Sequence, residues 1–165
     1  MKTKLIVLLG AAALVLATAS LAADVIKGTP GNDTIAGTAG NDVILALAGD
    51  DVVTADAGND RIRGGEGNDT VSGNDGNDAV HGGKGDDVGS GDTGNDRLWG
   101  GAGADKLYGG GGNDKLHAIA ADKALDVLDC GEGKDVAVVR AGEEVQLVSC
   151  ERVITVTTSS ADESA

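Results

Sequence analysis

Gly64-Gly65-Glu66-Gly67-Asn68-Asp69-Thr70-Val71-Ser72 is one unit of a nine-residue repeat that runs in register, ten times, from residue 28 to residue 117. Position four of every unit is glycine: Gly31, Gly40, Gly49, Gly58, Gly67, Gly76, Gly85, Gly94, Gly103 and Gly112. Position six is always aspartate: Asp33, Asp42, Asp51, Asp60, Asp69, Asp78, Asp87, Asp96, Asp105 and Asp114. Position eight is Ile, Val or Leu in every unit but the seventh, where it is Gly89. Each unit therefore encodes a tight turn, a carboxylate within that turn, and one core-facing side chain.

Positions one to six read as turn and seven to nine as a short strand. Alternate strand residues face opposite ways, so position eight points inward while seven and nine point out. Nine residues cannot close a coil around a core, but two units can. The pattern predicts an all-β, right-handed parallel roll of two facing sheets, with eighteen residues per coil. Gly89 should leave a gap in the core or a local kink. Units of the same parity then stack at about 4.8 Å, and the aspartates align in two columns. Stacked carboxylates repel one another unless a cation lies between them. Carboxylates and turn carbonyls together form a flexible set of hard oxygens, which suits Ca²⁺.

The unit resembles the glycine-rich nonapeptide of the RTX, or haemolysin-type, calcium-binding family, Gly-Gly-x-Gly-x-Asp-x-apolar-x. The resemblance covers residues 28–117. It implies a β-roll that is disordered without calcium and folded with it. It also implies that the ten position-six aspartates, with backbone oxygens of the turn glycines at position four, are the ligands. Pairing units two apart gives up to about eight inter-coil sites. Units three and four depart from the pattern, opening with Ala46-Leu47 and Ala55-Asp56. Sites built on Asp51 and Asp60 are therefore expected to be the weakest.

Composition points the same way. The chain has 165 residues, a net charge of −14, no Phe and 28 Gly. One bulky apolar side chain per unit is little burial with which to offset the ordering of a glycine-rich backbone. Such a chain lies near the disordered class unless something cationic contributes. The net charge argues against a nucleic-acid partner. Catalysis is not expected either, since neither histidine has a nucleophile and a carboxylate at a recurring catalytic spacing.

The ends differ from the middle. Residues 1–22 combine Lys2 and Lys4 with an apolar run from Leu5 to Leu16 and the small-x-small site Ser20-Leu21-Ala22. This reads as a secretory signal peptide of the general export route, and so as a secreted protein with no membrane span in its mature form. A retained anchor is the alternative, although the apolar run is short for one. In an exported chain, Cys130 and Cys150 read as a disulfide, with two buried free thiols as the alternative. The roll is expected over 23–138, with degenerate units at both ends and three inserted residues at 118–120. A disulfide-closed C-terminal β cap over 139–156 and a disordered polar tail over 157–165 follow.

The outward positions of the even units collect Arg61, Arg63, His81, Arg97, Trp99, Lys115 and His117 on an otherwise acidic chain. This suggests a face for an extracellular polysaccharide or an anionic cell surface, with Trp99 stacking on a ring and the cations meeting acidic groups. An adhesin or matrix protein using that face is the alternative to a protein that binds calcium ions alone.

Overall fold

The computed structural model describes residues 5–7, 14–16 and 25–157. The rest of the expected leader and the tail beyond residue 157 lie outside the described residues. Among the described residues seventeen strands, β1 to β17 in chain order, alternate between two parallel sheets. The odd-numbered strands make up the first sheet and the even-numbered strands the second, each strand pairing with the strands two before and two after it in the chain. Successive strands thus swap sheets, and each coil contains two nonapeptides, as the repeat predicts.

The strands that carry the argument are β4 (Thr34–Ala36), β5 (Val43–Ala48), β7 (Arg61–Glu66), β9 (Ala79–Lys84), β10 (Val88–Thr93), β11 (Arg97–Ala102) and β13 (Lys115–Ala118). Register steps are eighteen residues through the regular array: Arg61 pairs with Ala79, and Ala79 with Arg97. The three inserted residues lengthen one coil, so that Lys115 of β13 pairs with Val136. The core is a single file between the sheets. Ile26, Ile35, Ile44, Val53, Ile62, Val71, Val80, Leu98, Leu107, Leu116 and Leu128 are all buried, one from each successive unit except that of Gly89.

Several strands are longer than the three residues expected. β5, β7, β9 and β11 run on through positions one to three of the next unit, pairing Leu47 with Gly65 and Gly65 with Gly83. The Gly-Gly pair that reads as turn is therefore a bend within a continuing strand. Position two takes a positive φ there, as in Gly65 (133°), Gly83 (135°) and Gly101 (122°). Leu47 (96°), Asp56 (75°), Asn74 (70°) and Asp92 (67°) accept the same conformation without being glycine.

Gly89 produces no kink: β10 keeps full register with Thr70–Ser72 (β8) on one side and Lys106–Gly111 (β12) on the other. Nor is its place empty. A methyl group on Gly89 would lie 3.1 Å from Leu107 Cδ2 and 3.6 Å from Val80 Cγ1. The larger leucine on the neighbouring coil fills the volume that a Val would have taken.

The C-terminal segment continues the same roll for two more coils. β14 (Asp126–Asp129) and β16 (Val145–Val148) extend the second sheet, while β15 (Val136–Arg140) and β17 (Arg152–Val156) extend the first. Cys130 and Cys150 form a disulfide across it. At the other end β1 (Leu5–Val7) pairs with β3 (Val25–Lys27), and β2 (Leu14–Leu16) with β4. Parts of the apolar leader thus add one strand to each sheet. No helix among the described residues is long and apolar enough to cross a membrane.

Candidate metal centre

All ten position-six aspartates are buried, nine of them 1% exposed and Asp33 3%. Each sits where the chain leaves the position-four turn and enters the next strand, so its side chain falls inside the coil. Glycine at position four is what allows this. Gly76 (φ 141°), Gly94 (139°) and Gly112 (135°) occupy a conformation closed to other residues. A Cβ on any of them would also overlap the position-four carbonyl oxygen of the coil before.

The two oxygens of each carboxylate have different surroundings. Oδ1 accepts a hydrogen bond from the backbone N–H of the aspartate one coil earlier: Asp51 N–H to Asp69 Oδ1 (2.9 Å), Asp69 N–H to Asp87 Oδ1 (2.8 Å), Asp78 N–H to Asp96 Oδ1 (2.7 Å). The ladder continues beyond the regular units, with Asp105 N–H to Asp126 Oδ1 (2.9 Å) and Asp114 N–H to Asp135 Oδ1 (2.8 Å). Oδ2 is buried without any donor in Asp51, Asp60, Asp69, Asp78, Asp87, Asp96, Asp105, Asp114 and Asp135. An unmatched buried carboxylate oxygen is strongly unfavourable, and nine of them in two aligned columns have the chemistry to face cations.

The surroundings of Oδ2 fit a hard cation. A Cβ on Gly64 would meet both Asp69 Oδ2 and, at 2.8 Å, the carbonyl oxygen of Gly82 on the next coil. The same pairing of carboxylate and cross-coil carbonyl recurs at Gly73, where a Cβ would meet Asp78 Oδ2 and the Gly91 oxygen. Position-one glycine thus leaves a cradle lined by oxygens from two coils. No point among the described residues gathers three or more His, Cys, Asp or Glu side chains. Backbone oxygens would have to complete each site, as glycine turns permit.

Burial raises the carboxyl pKa values. Asp60, Asp87, Asp96 and Asp105 are each pushed up to about 7, and Asp51 to about 6. Desolvation is the largest cause. The amide on Oδ1 acts against it, and neighbouring carboxylates add to it. Asp69, Asp78, Asp114 and Asp126 shift the same way, again mainly through desolvation.

Asp33 and Asp42 differ from the rest. Thr29 N–H and Oγ1–H donate to Asp33 Oδ2 (2.5 Å) and Oδ1 (3.1 Å). Thr38 N–H and Oγ1–H both donate to Asp42 Oδ2 (2.7 and 2.9 Å). The departure from the repeat that alters carboxylate bonding is therefore Thr at position two of the first two units. Units opening with Ala46 and Ala55 keep Asp51 and Asp60 in the ladder, each with an Oδ2 lacking a donor. Asp126 and Asp135 belong to the columns as well. The sequence signals Asp135 through Gly131-x-Gly133-x-Asp135, once the three-residue insertion is allowed for.

The profile of the RTX calcium-binding nonapeptide repeat matches the chain in four overlapping stretches, residues 19–53, 27–62, 54–89 and 81–116. The chain belongs to that family. It is accordingly a calcium-binding β-roll protein, and the two carboxylate columns are where the roll offers oxygen without hydrogen-bond donors. No curated protein matches the chain.

The basic face of this RTX protein is assembled on the first sheet. Arg61, Ala79, Arg97 and Lys115 form one row, and Arg63, His81, Trp99 and His117 the next. His81 stacks on Trp99 (centroids 4.2 Å apart, planes within 2°), and Trp99 on His117 (4.9 Å, 12°). Both faces of the indole are thus covered by imidazoles, because side chains on neighbouring parallel strands stack along the roll. The row offers ring edges to a ligand, and Trp99 has no open face for a sugar ring. Burial lowers the pKa of both histidines, with Arg63 adding to the effect at His81, and Lys115, His81 and Arg97 at His117.

Proposed function

We propose that this protein is a secreted calcium-binding module whose roll forms on binding Ca²⁺. The observation that carries the reading is the set of nine buried Oδ2 atoms without donors. In this reading Asp51, Asp60, Asp69, Asp78, Asp87, Asp96, Asp105 and Asp114 contribute Oδ2, with turn carbonyls of adjacent coils as the remaining oxygens. Asp33 and Asp42, already bonded to threonines, contribute less. Bound calcium supplies positive charge between coils that otherwise stack carboxylate on carboxylate. Export through the leader at residues 1–22 is part of the proposal, since a calcium-poor interior would keep the chain unfolded until it crosses. Far-ultraviolet circular dichroism of the calcium-stripped chain at pH 8, before and after adding CaCl₂, tests it. Gain of β signal on addition is expected; an unchanged spectrum with full β content in both states would refute calcium-dependent folding.

A second reading, an adhesin or matrix protein, is favoured by Arg61, Arg63, Arg97 and Lys115 gathered on one sheet and by a groove of about 420 Å³ beside them. Arg63, His81 and Trp99 line this groove with Gly65, Gly83 and Gly101, as does the Glu66–Lys84 ion pair. The chemistry suits an extended polyanion, met by guanidinium groups and ring edges. Retention of Arg63→Ala/Arg97→Ala on an acidic polysaccharide, with calcium held constant, should fall below that of the unaltered chain. Equal retention would remove this reading and leave calcium binding untouched.

A further inference from the structure

The last turn of the carboxylate columns lies beyond the matched repeats and is built on a cysteine. Cys130-Gly131-Glu132-Gly133-Lys134-Asp135 reproduces the turn, with Gly131 (φ 86°) and Gly133 (φ 147°) in the positive-φ positions of the regular units. Asp135 is 1% exposed. Its Oδ1 accepts the Asp114 N–H, while the Oδ2 atoms of Asp135 and Asp114 are both buried without a donor. At Gly109 a Cβ would meet Asp114 Oδ2 at 2.6 Å and also the carbonyl oxygen of Cys130. Cys130 therefore supplies the cross-coil carbonyl that Gly82 and Gly91 supply in the regular units.

We propose that this turn forms a further divalent-cation site, with Asp114, Asp135 and the Cys130 carbonyl among its oxygens, and that the Cys130–Cys150 disulfide holds it together. The inference rests on the reading that the columns bind calcium. Its physical reason is position. Every regular turn is held in place by another aspartate turn on the following coil, whereas Asp135 is followed only by Arg152–Val156, whose Arg152 N–H donates to the Asp135 carbonyl (3.1 Å). Val153, Ile154 and Val156 of that strand are at least 36% exposed, so the last coil has little burial with which to fix the turn. The disulfide ties Cys130, fully buried and bonded through its N–H to the Val148 carbonyl (3.0 Å), to the segment that closes the coil. A covalent tie takes the place of the missing coil.

Equilibrium dialysis against ⁴⁵Ca²⁺ at pH 8, on the full chain and two variants, tests this. In Asp135→Asn the amide oxygen can still accept the Asp114 N–H, but an NH₂ replaces Oδ2. This variant should bind one calcium ion fewer per chain, and Cys130→Ala/Cys150→Ala should bind its last ion at least tenfold more weakly. An unchanged count in Asp135→Asn overturns the site, and an unchanged last-ion affinity in the double variant overturns the role of the disulfide. Should the unaltered chain bind no calcium, the broader reading falls and the inference with it. If Asp135→Asn fails to fold, amide exchange of the unaltered chain in saturating calcium decides. Protection over residues 130–138 as strong as over the regular unit 109–117 supports the site, and exchange there at least tenfold faster overturns it.

Discussion

Acid should substitute for calcium in folding this chain. In the metal-free roll Asp60, Asp87, Asp96 and Asp105 have carboxyl pKa values near 7, against 3.8 for an unperturbed group. A group whose folded pKa is raised leaves stability intact below its unfolded pKa and takes it away as pH climbs through the folded value. The metal-free roll therefore weakens from about pH 4 to about pH 7 and is weakest above that. Raising one carboxyl from 3.8 to about 7 corresponds to roughly 4 kcal/mol against the fold at pH 8. Two such groups match the lower end of the roughly 5–15 kcal/mol by which domains are stable. Lowering the pH from 8 to 5 restores about 1.4 kcal/mol per group for each pH unit below its folded pKa. Calcium-stripped protein in metal-free buffer should thus be unfolded at pH 8 and gain β signal in circular dichroism on titration to pH 5. With saturating calcium the spectrum should change little over the same range. A metal-free sample whose β content stays flat or falls between pH 8 and pH 5 would refute the reasoning.

Three further outcomes follow from the same geometry. Asp87→Asn should change sign with conditions: in calcium its melting temperature falls as an ion is lost, whereas without metal at pH 8 it folds more readily than the unaltered chain, because a buried charge has gone. Parallel thermal melts with calcium and with chelator measure both. Gly94→Ala places a Cβ on the Gly76 carbonyl at φ 139° and should destabilise by several kcal/mol. Gly111→Ala, with nothing within 4 Å, should stay within about 1 kcal/mol of the unaltered protein in urea denaturation. Thr29→Val/Thr38→Val removes two hydroxyl donors from Asp33 and Asp42 and should weaken the first coil by about 1 kcal/mol per bond. Faster amide exchange confined to residues 28–45 in saturating calcium is the expected signature.

The period of nine carries most of the fold, because one register sets turn, strand and core together. Strand alternation between two sheets, the eighteen-residue coil and the two aspartate columns all follow from it. Strand length does not follow, because Gly-Gly in isolation reads as a turn. Here parallel neighbours hold Gly65, Gly83 and Gly101 in extended strands despite their positive φ. The packing at Gly89 depends on the neighbouring coil, where Leu107 takes up the space. Absent glycine marks the third and fourth units as irregular in the sequence, whereas the carboxylates whose bonding differs lie in the first and second, where a threonine hydroxyl reaches the carboxylate of its own turn. The basic face is legible as a set of residues. The stacking that covers Trp99 is not, since it arises from rows of rings standing on adjacent strands.

The two oxygens of each aspartate explain why position six admits no other residue while position two admits Leu47, Asp56, Asn74 and Asp92. Position two requires a backbone conformation, and several side chains tolerate it at a strain of about 1 kcal/mol or somewhat more. Position six requires two separate acceptors at one point. Oδ1 takes the amide one coil earlier and so fixes register, a function that needs no metal and that asparagine would share. Oδ2 takes nothing from the protein in nine turns, and there an asparagine NH₂ would meet the carbonyl of the next coil rather than share a cation with it. Glutamate would reach past the cradle at position one, whose width the glycine sets. A carboxylate on a single methylene meets both requirements within a coil only eighteen residues long.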